Sequence, residues 1–203
     1  MDFDRDRRYD APVSATLMKL FRILLLIVAA LLAAGAVYLY AGNAVPEGQP
    51  EMVRLTPANF LEFKRAFNAA KDQVRMIAMM APTCPLCLGG MSALQRVLAA
   101  KPDPQLRVFV VWEPVLVTDW TAPSSFTLGR LADRRAQQYW DRGRLLSKAM
   151  GEKDKDSIVW DYVAVHPKGA IWEDAPPKPS FESGRVVDGT GDLVQALDLA
   201  QKN

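Results

Sequence analysis

The sequence predicts an α/β fold: a sheet flanked by helices, carrying a helical insertion and preceded by one N-terminal transmembrane helix. Three observations point there. An uncharged apolar run fills residues 23–39, ILLLIVAALLAAGAVYL. After residue 55, short apolar runs of strand length alternate with helix-like stripes. The two cysteines of the chain, Cys84 and Cys87, stand two residues apart at one of those strand-to-helix junctions.

The apolar run, extended through Gly42, is about 20 residues long, enough for a helix across roughly 30 Å of hydrocarbon. Lys19 and Arg22 precede it, Tyr38 and Tyr40 sit at its far end, and no basic residue follows until Arg54. The positive-inside rule then puts the N-terminus in the cytoplasm and the rest outside. The expected division is a cytoplasmic tail over residues 1–16, a signal-anchor helix over 17–42, a linker over 43–54 and a globular domain over 55–203. A cleaved signal peptide is the rival reading, with Ala41 and Ala44 as small residues near a cleavage point. The length of the run and the tail before it favour an uncleaved anchor, and apolar residues all round the segment disfavour a core helix. The implied location is a bacterial inner membrane, single-pass, with the C-terminal domain periplasmic.

The chain has 203 residues and a net charge of +2. The first 44 residues hold five basic and four acidic side chains, so the remainder is nearly balanced. No basic stripe is left for a nucleic-acid partner. NAVPEGQP at 43–50 has linker composition. Thr56-Pro57 starts a helix, followed by Phe60, Phe63 and Phe67 at helical spacing. Residues 74–80 form a short apolar strand. Residues 84–100 read as a helix with Leu88, Met91, Leu94 and Leu98 on one stripe. LRVFVVW at 106–112 is the clearest strand. A long helical stretch is expected over 125–150 and a strand over 157–165. His166-Pro167-Lys168-Gly169 is expected to turn that strand into a partner at 170–172. Leu193, Ala196, Leu197 and Ala200 mark a last helix.

The cysteines therefore sit at the first turn of a helix that follows a buried strand. Exposed N–H groups and the dipole at a helix N-terminus stabilise a thiolate, which makes Cys84 the expected nucleophile. Cys87, one turn on, is within reach to close a disulfide with it and reopen it by exchange. Cys84 is expected to be exposed and Cys87 shielded. Pro85 suits an early helical position, which needs no N–H donor. Thr83, Pro85, Leu86 and Trp160 are expected to shape the site.

The strand VRMIAMM, the motif APTCPLC, the helix over 84–100 and the strand LRVFVVW together resemble the thioredoxin-like superfamily. DYVAVHPKGAIW resembles the strand–turn–strand of its membrane-tethered extracytoplasmic members. VWEPVLVTDW is similar to a stretch in a group of bacterial single-CxxC thioredoxin-like proteins. The likeness spans roughly residues 55–172. It implies a thiol–disulfide oxidoreductase that exchanges electrons with protein thiols and disulfides through a Cys84–Cys87 disulfide. No cofactor is implied, and a membrane or periplasmic thiol protein would reset the pair. Two features usual in the family are missing. The slot for a cis-proline falls near Trp160, in a stretch without proline; a second register would use Pro176 or Pro177. Six residues before Cys84, where thioredoxin carries a buried acid, stands Ala78. Asp161 or Glu113 is the candidate replacement as proton relay.

Other readings concern the same residues. A structural disulfide at this spacing closes a tiny loop and adds little stability. Two thiolates and His166, the only histidine, could in principle bind Cu(I), but copper-delivering relatives space their cysteines by three residues and His166 reads as a surface turn residue; no metal is expected. A metal-handling or assembly module without turnover is the alternative function.

Overall fold

The computed structural model describes residues 15–40 and 42–202, with side chains described over 17–37 and 42–202. The expected tail, residues 1–16, thus falls almost wholly outside the described residues. The chain divides into two units, residues 1–41 and 42–203. In the first, α1 (Ala15–Tyr40) is a single helix of 26 residues. Its segment Leu17–Val37 has a mean hydropathy of 2.6 and no buried share, so it is long and apolar enough to cross a membrane.

The second unit is built on a six-stranded mixed sheet. The strands are β1 (Val53–Arg54), β2 (Val74–Met80), β3 (Leu106–Trp112), β4 (Ala136–Trp140), β5 (Tyr162–His166) and β6 (Phe181–Gly184), in spatial order β1-β4-β3-β2-β5-β6. The first four in that order are mutually parallel, and β5 and β6 add on antiparallel. Every residue of β2 is buried, as the central strand of a sheet covered on both faces must be. Alternation then sorts its side chains. Met76, Ala78 and Met80 join Val108, Val110 and Trp112 under α3 (Pro85–Ala100) and α6 (Thr190–Lys202). Ile77 and Met79 join Phe109, Val111 and Tyr139 under α2 (Phe60–Ala69), whose Phe63 and Phe67 are buried. A parallel β2–α3–β3 crossover followed by an antiparallel pair and a closing helix is the mixed, helix-flanked sheet expected from the sequence.

Three segments differ from expectation. The stretch 125–150 is not one helix. It holds α4 (Ser125–Leu128), the strand β4 and α5 (Leu145–Ala149), so the insertion contributes a strand to the sheet between two short helices. Gln137 and Gln138 hide this strand from a hydrophobic pattern, yet both are buried with their amides paired. Trp112 Nε1 donates to Gln138 Oε1 at 2.9 Å, Gln138 Nε2 donates to Leu128 O at 3.0 Å, and Gln137 Nε2 donates to Glu51 O at 2.7 Å.

The second difference is the hairpin. β5 is shorter than the expected strand over 157–165, and its partner is β6, in the APPKPSFESG stretch, rather than 170–172. The turn after His166 is present, but the chain is then drawn away. The Arg75 guanidinium donates to the carbonyls of Pro167 and Ala170, and Trp172 N–H donates to Asn68 Oδ1 at 2.8 Å. Trp172 lands edge-on against Phe60, Phe63 and Phe67. His166, expected at the surface, is 3% exposed as the last residue of β5 and stands edge-on to Phe67 at 5.1 Å.

Third, residues 43–54 lie against the domain. Asn43 Nδ2 donates to Pro123 O at 2.8 Å, Gln49 Nε2 to Leu131 O at 2.6 Å, and β1 pairs with β4. Gly42, expected at the end of the apolar helix, belongs to this unit, and its carbonyl accepts from Ser125 N–H at 2.7 Å.

Candidate functional site

The junction of β2 and α3 carries the cysteines. Cys84 is the N-cap of α3 in extended conformation, with Pro85 at the first helical position. Its carbonyl accepts the first helical bond, from Leu88 N–H at 2.9 Å. Its sulfur caps the helix from the side-chain end, accepting from Cys87 N–H at 3.5 Å. The Cys87 sulfur turns back and accepts from Ala81 N–H at 3.4 Å. Both thiols are free.

The two sulfurs differ in surroundings. Cys87 has no exposed surface. Burial pushes its thiol far up, with the nearby Cys84 and Asp161 raising it further and the Ala81 N–H acting against them. Cys84, expected to be exposed, is 4% exposed, which corrects the expectation in degree but keeps its order: of the pair, only Cys84 retains surface. Pro85 and Leu86 stand out around it, Leu86 at 48%.

The other expected site residues divide. Thr83 is held tightly: its N–H and hydroxyl both reach Asp119 Oδ1, at 2.9 and 2.6 Å, and its hydroxyl also meets that of Thr118. Trp160 is 37% exposed and immediately precedes Asp161. Asp161 is 5% exposed, has a left-handed backbone (φ 47°) and accepts from Val186 N–H at 3.2 Å. It is the carboxylate that acts on Cys87. Gly90 makes room for this approach: a Cβ there would stand 3.1 Å from Val186 Cβ and 3.5 Å from Asp161 Oδ1.

Glu113 is fully buried but turned toward α5, where Ser147 N–H donates to its Oε1 at 3.3 Å. Burial, then Asp141 and Glu152, push its carboxyl well above the usual range. It is not among the groups that act on Cys87. The slot expected for a cis-proline holds Trp160 and Asp161, and no cis peptide bond occurs among the described residues. Of the tryptophans, Trp112, Trp140 and Trp172 are buried, whereas Trp120 is 77% exposed. Among the described residues no group of three or more His, Cys, Asp or Glu is arranged to hold a metal ion.

Sequence reading missed Asp119. It is 2% exposed, and its partner Thr83 lies 36 residues away, a distance no local pattern spans.

No family model matches the chain, and no curated protein matches it. Solved structures are similar in backbone. A secreted Mycobacterium tuberculosis disulfide oxidoreductase homologous to E. coli DsbE is 10% identical, the match covering 64% of this chain and 84% of that one, with a TM-score of 0.44. The M. tuberculosis dsbF protein is 12% identical, covering 64% and 81%, with a TM-score of 0.42. A putative thioredoxin from Neisseria meningitidis is 20% identical, covering 67% and 80%, also with a TM-score of 0.42. Likeness at this level leaves the chemistry to be derived from the chain's own side chains.

Proposed function

We propose that this chain is a membrane-tethered thiol–disulfide oxidoreductase that exchanges electrons with partner proteins through Cys84 and Cys87. One observation carries the reading: the two thiols share a helical turn but are held by different backbone donors, and only Cys84 keeps any surface. An attacking thiol needs access, and a resolving thiol needs protection until the mixed disulfide has formed.

In the reducing direction, the Cys84 thiolate attacks a partner disulfide. A bond forms from Cys84 to one partner sulfur, the partner's S–S bond breaks, and its other sulfur leaves as a thiolate that takes up a proton. Cys87 then gives up its proton, for which Asp161 is the acceptor, and attacks Cys84. The Cys84–Cys87 bond forms, the remaining partner sulfur leaves, and two electrons have passed to the partner. The oxidising direction is the same sequence reversed. A membrane or periplasmic thiol protein resets the pair. The segment 17–37 is the anchor, in a bacterial inner membrane, with residues 42–203 on the periplasmic side.

The Cys87→Ser variant should accumulate partner proteins as mixed disulfides through Cys84, whereas Cys84→Ser should trap almost none. Equal trapping by both, or by neither, would overturn the assignment. For topology, a reporter enzyme active only in the periplasm, fused after Asn203, should be active; activity only from a cytoplasmic reporter would reverse the orientation.

A further inference from the structure

We infer that Asp119 is a positioning residue for the cysteine pair, fixing the residue before Cys84 so that Cys87 can close the disulfide. This rests on the oxidoreductase reading above and concerns how that site is held. Asp119 is 2% exposed and spends both carboxylate oxygens on donors from two separate parts of the chain. Its Oδ1 takes the N–H and the hydroxyl of Thr83, at 2.9 and 2.6 Å. Its Oδ2 takes Val115 N–H at 3.0 Å and Leu116 N–H at 2.7 Å. Four donors converge on one side chain; only a carboxylate offers two acceptor oxygens in one fork, glutamate would carry that fork one methylene further out, and asparagine would turn an amide N–H₂ on one pair of donors.

The consequence falls on Cys84. Thr83 is its neighbour in the chain, so the clamp sets the direction from which the backbone enters the N-cap. The loop that carries Asp119 is itself fixed to the sheet: Glu113 N–H donates to Met80 O at 2.8 Å, and Asp119 N–H returns to Leu116 O at 2.9 Å. The extended backbone of Cys84, and with it the placement of its sulfur over Cys87 N–H, is thereby referred to the ends of β2 and β3. Disulfide closure is an intramolecular reaction whose rate and equilibrium follow how well the two sulfurs are pre-placed. Loosening Thr83 should lower the effective concentration of one sulfur about the other.

The test uses the full chain in detergent with glutathione as the exchange partner. Resolution of a Cys84–glutathione mixed disulfide forms the Cys84–Cys87 bond, breaks the bond to glutathione and releases glutathione as a thiolate, which takes up the proton that Cys87 loses. In Asp119→Ala and Thr83→Val the lifetime of that mixed disulfide should rise at least tenfold. The equilibrium constant for the intramolecular disulfide should fall about tenfold, equivalent to a reduction potential about 30 mV less negative. Thr83→Ser, which keeps the hydroxyl, should stay within twofold of the parent. A lowered melting temperature in Asp119→Ala with lifetime and equilibrium unchanged would make the contact merely structural and overturn the inference. If Asp119→Ala does not fold, Thr83→Val decides alone: a lifetime within twofold of the parent overturns it. A parent chain whose cysteines fail to exchange with glutathione at all would instead refute the oxidoreductase reading itself.

Discussion

Glu113 and Asp119 belong to the same short loop after β3, both are buried acids, and they live by opposite rules. Asp119 has a donor for every direction it faces. Glu113 receives one N–H on Oε1, while its Oε2 has no partner, and the neighbouring Asp141 and Glu152 also keep one unpaired buried oxygen each. A buried carboxyl left short of hydrogen bonds holds its proton. Six residues apart, one acid is a fastener and the other is chemically closer to an amide. Burial alone therefore says nothing about the role of an acidic side chain, and the count of donors does.

Mutation should separate the two. The largest effect is expected from Asp119→Ala, which removes several charge-assisted hydrogen bonds and should cost about 4 kcal/mol in urea denaturation, with Asp119→Asn intermediate. A cost under about 1 kcal/mol would erase the contrast. Next comes His166, the basic counterpart of Glu113. Its Nδ1 is buried without a partner, and burial, assisted by Arg75, lowers its pKa to about 4. The unfolded chain takes up a proton near pH 6.5 while the folded one refuses it until about pH 4, so stability is present above that window and is lost as pH falls through it. The loss should be on the order of 3 kcal/mol, and it should vanish in His166→Gln; an unchanged acid limb in that variant would assign the loss elsewhere.

Glu113→Gln should match the parent within about 1 kcal/mol near pH 4, because the amide resembles the protonated acid. Its mark is on the slope. The folded chain keeps a proton that the unfolded one releases above about pH 4.5, so the parent loses stability as pH rises above that value. Glu113→Gln should flatten this limb and so be the more stable of the two at pH 7, and an unchanged limb would mean that Glu113 is ionised in the fold. The smallest effect marks the solvent limit of the comparison. Asp188 pairs with Arg185 at 3.3 Å with both side chains more than half exposed, and Arg185→Ala should change stability by less than about 0.5 kcal/mol.

Much of this contrast was beyond sequence reading, for identifiable reasons. β2, β3 and α3 were legible because each buries a run or stripe that a period of 2 or 3.6 exposes at once. The place of the CPLC motif was legible because it follows an apolar strand and opens a helical stripe. β4 was not, because AQQYW satisfies its glutamines through partners far along the chain, such as Trp112 and Leu128. The turn after His166 was legible, but its sequel depends on Arg75 and Asn68, two strand and helix residues that capture the chain from elsewhere. The face of Glu113 was within reach. Side chains alternate along LRVFVVW, so the residue after Trp112 points with Phe109 and Val111, away from the cysteines. Asp161 offered a weaker signal, as an acid just before a strand, and its left-handed backbone is a conformation aspartate tolerates better than most residues.

Gly90 gives the site an unusual kind of dependence. The spacing between the helix of Cys87 and Val186 is set by an atom that is not there, since one added carbon would meet Val186 at 3.1 Å. A single methyl group at position 90 would act as a shim, pressing α3 against Val186 while adding no reactive group and no charge. The seating of α3 thus depends on a residue that has no side chain to contribute, invisible to any search for reactive groups.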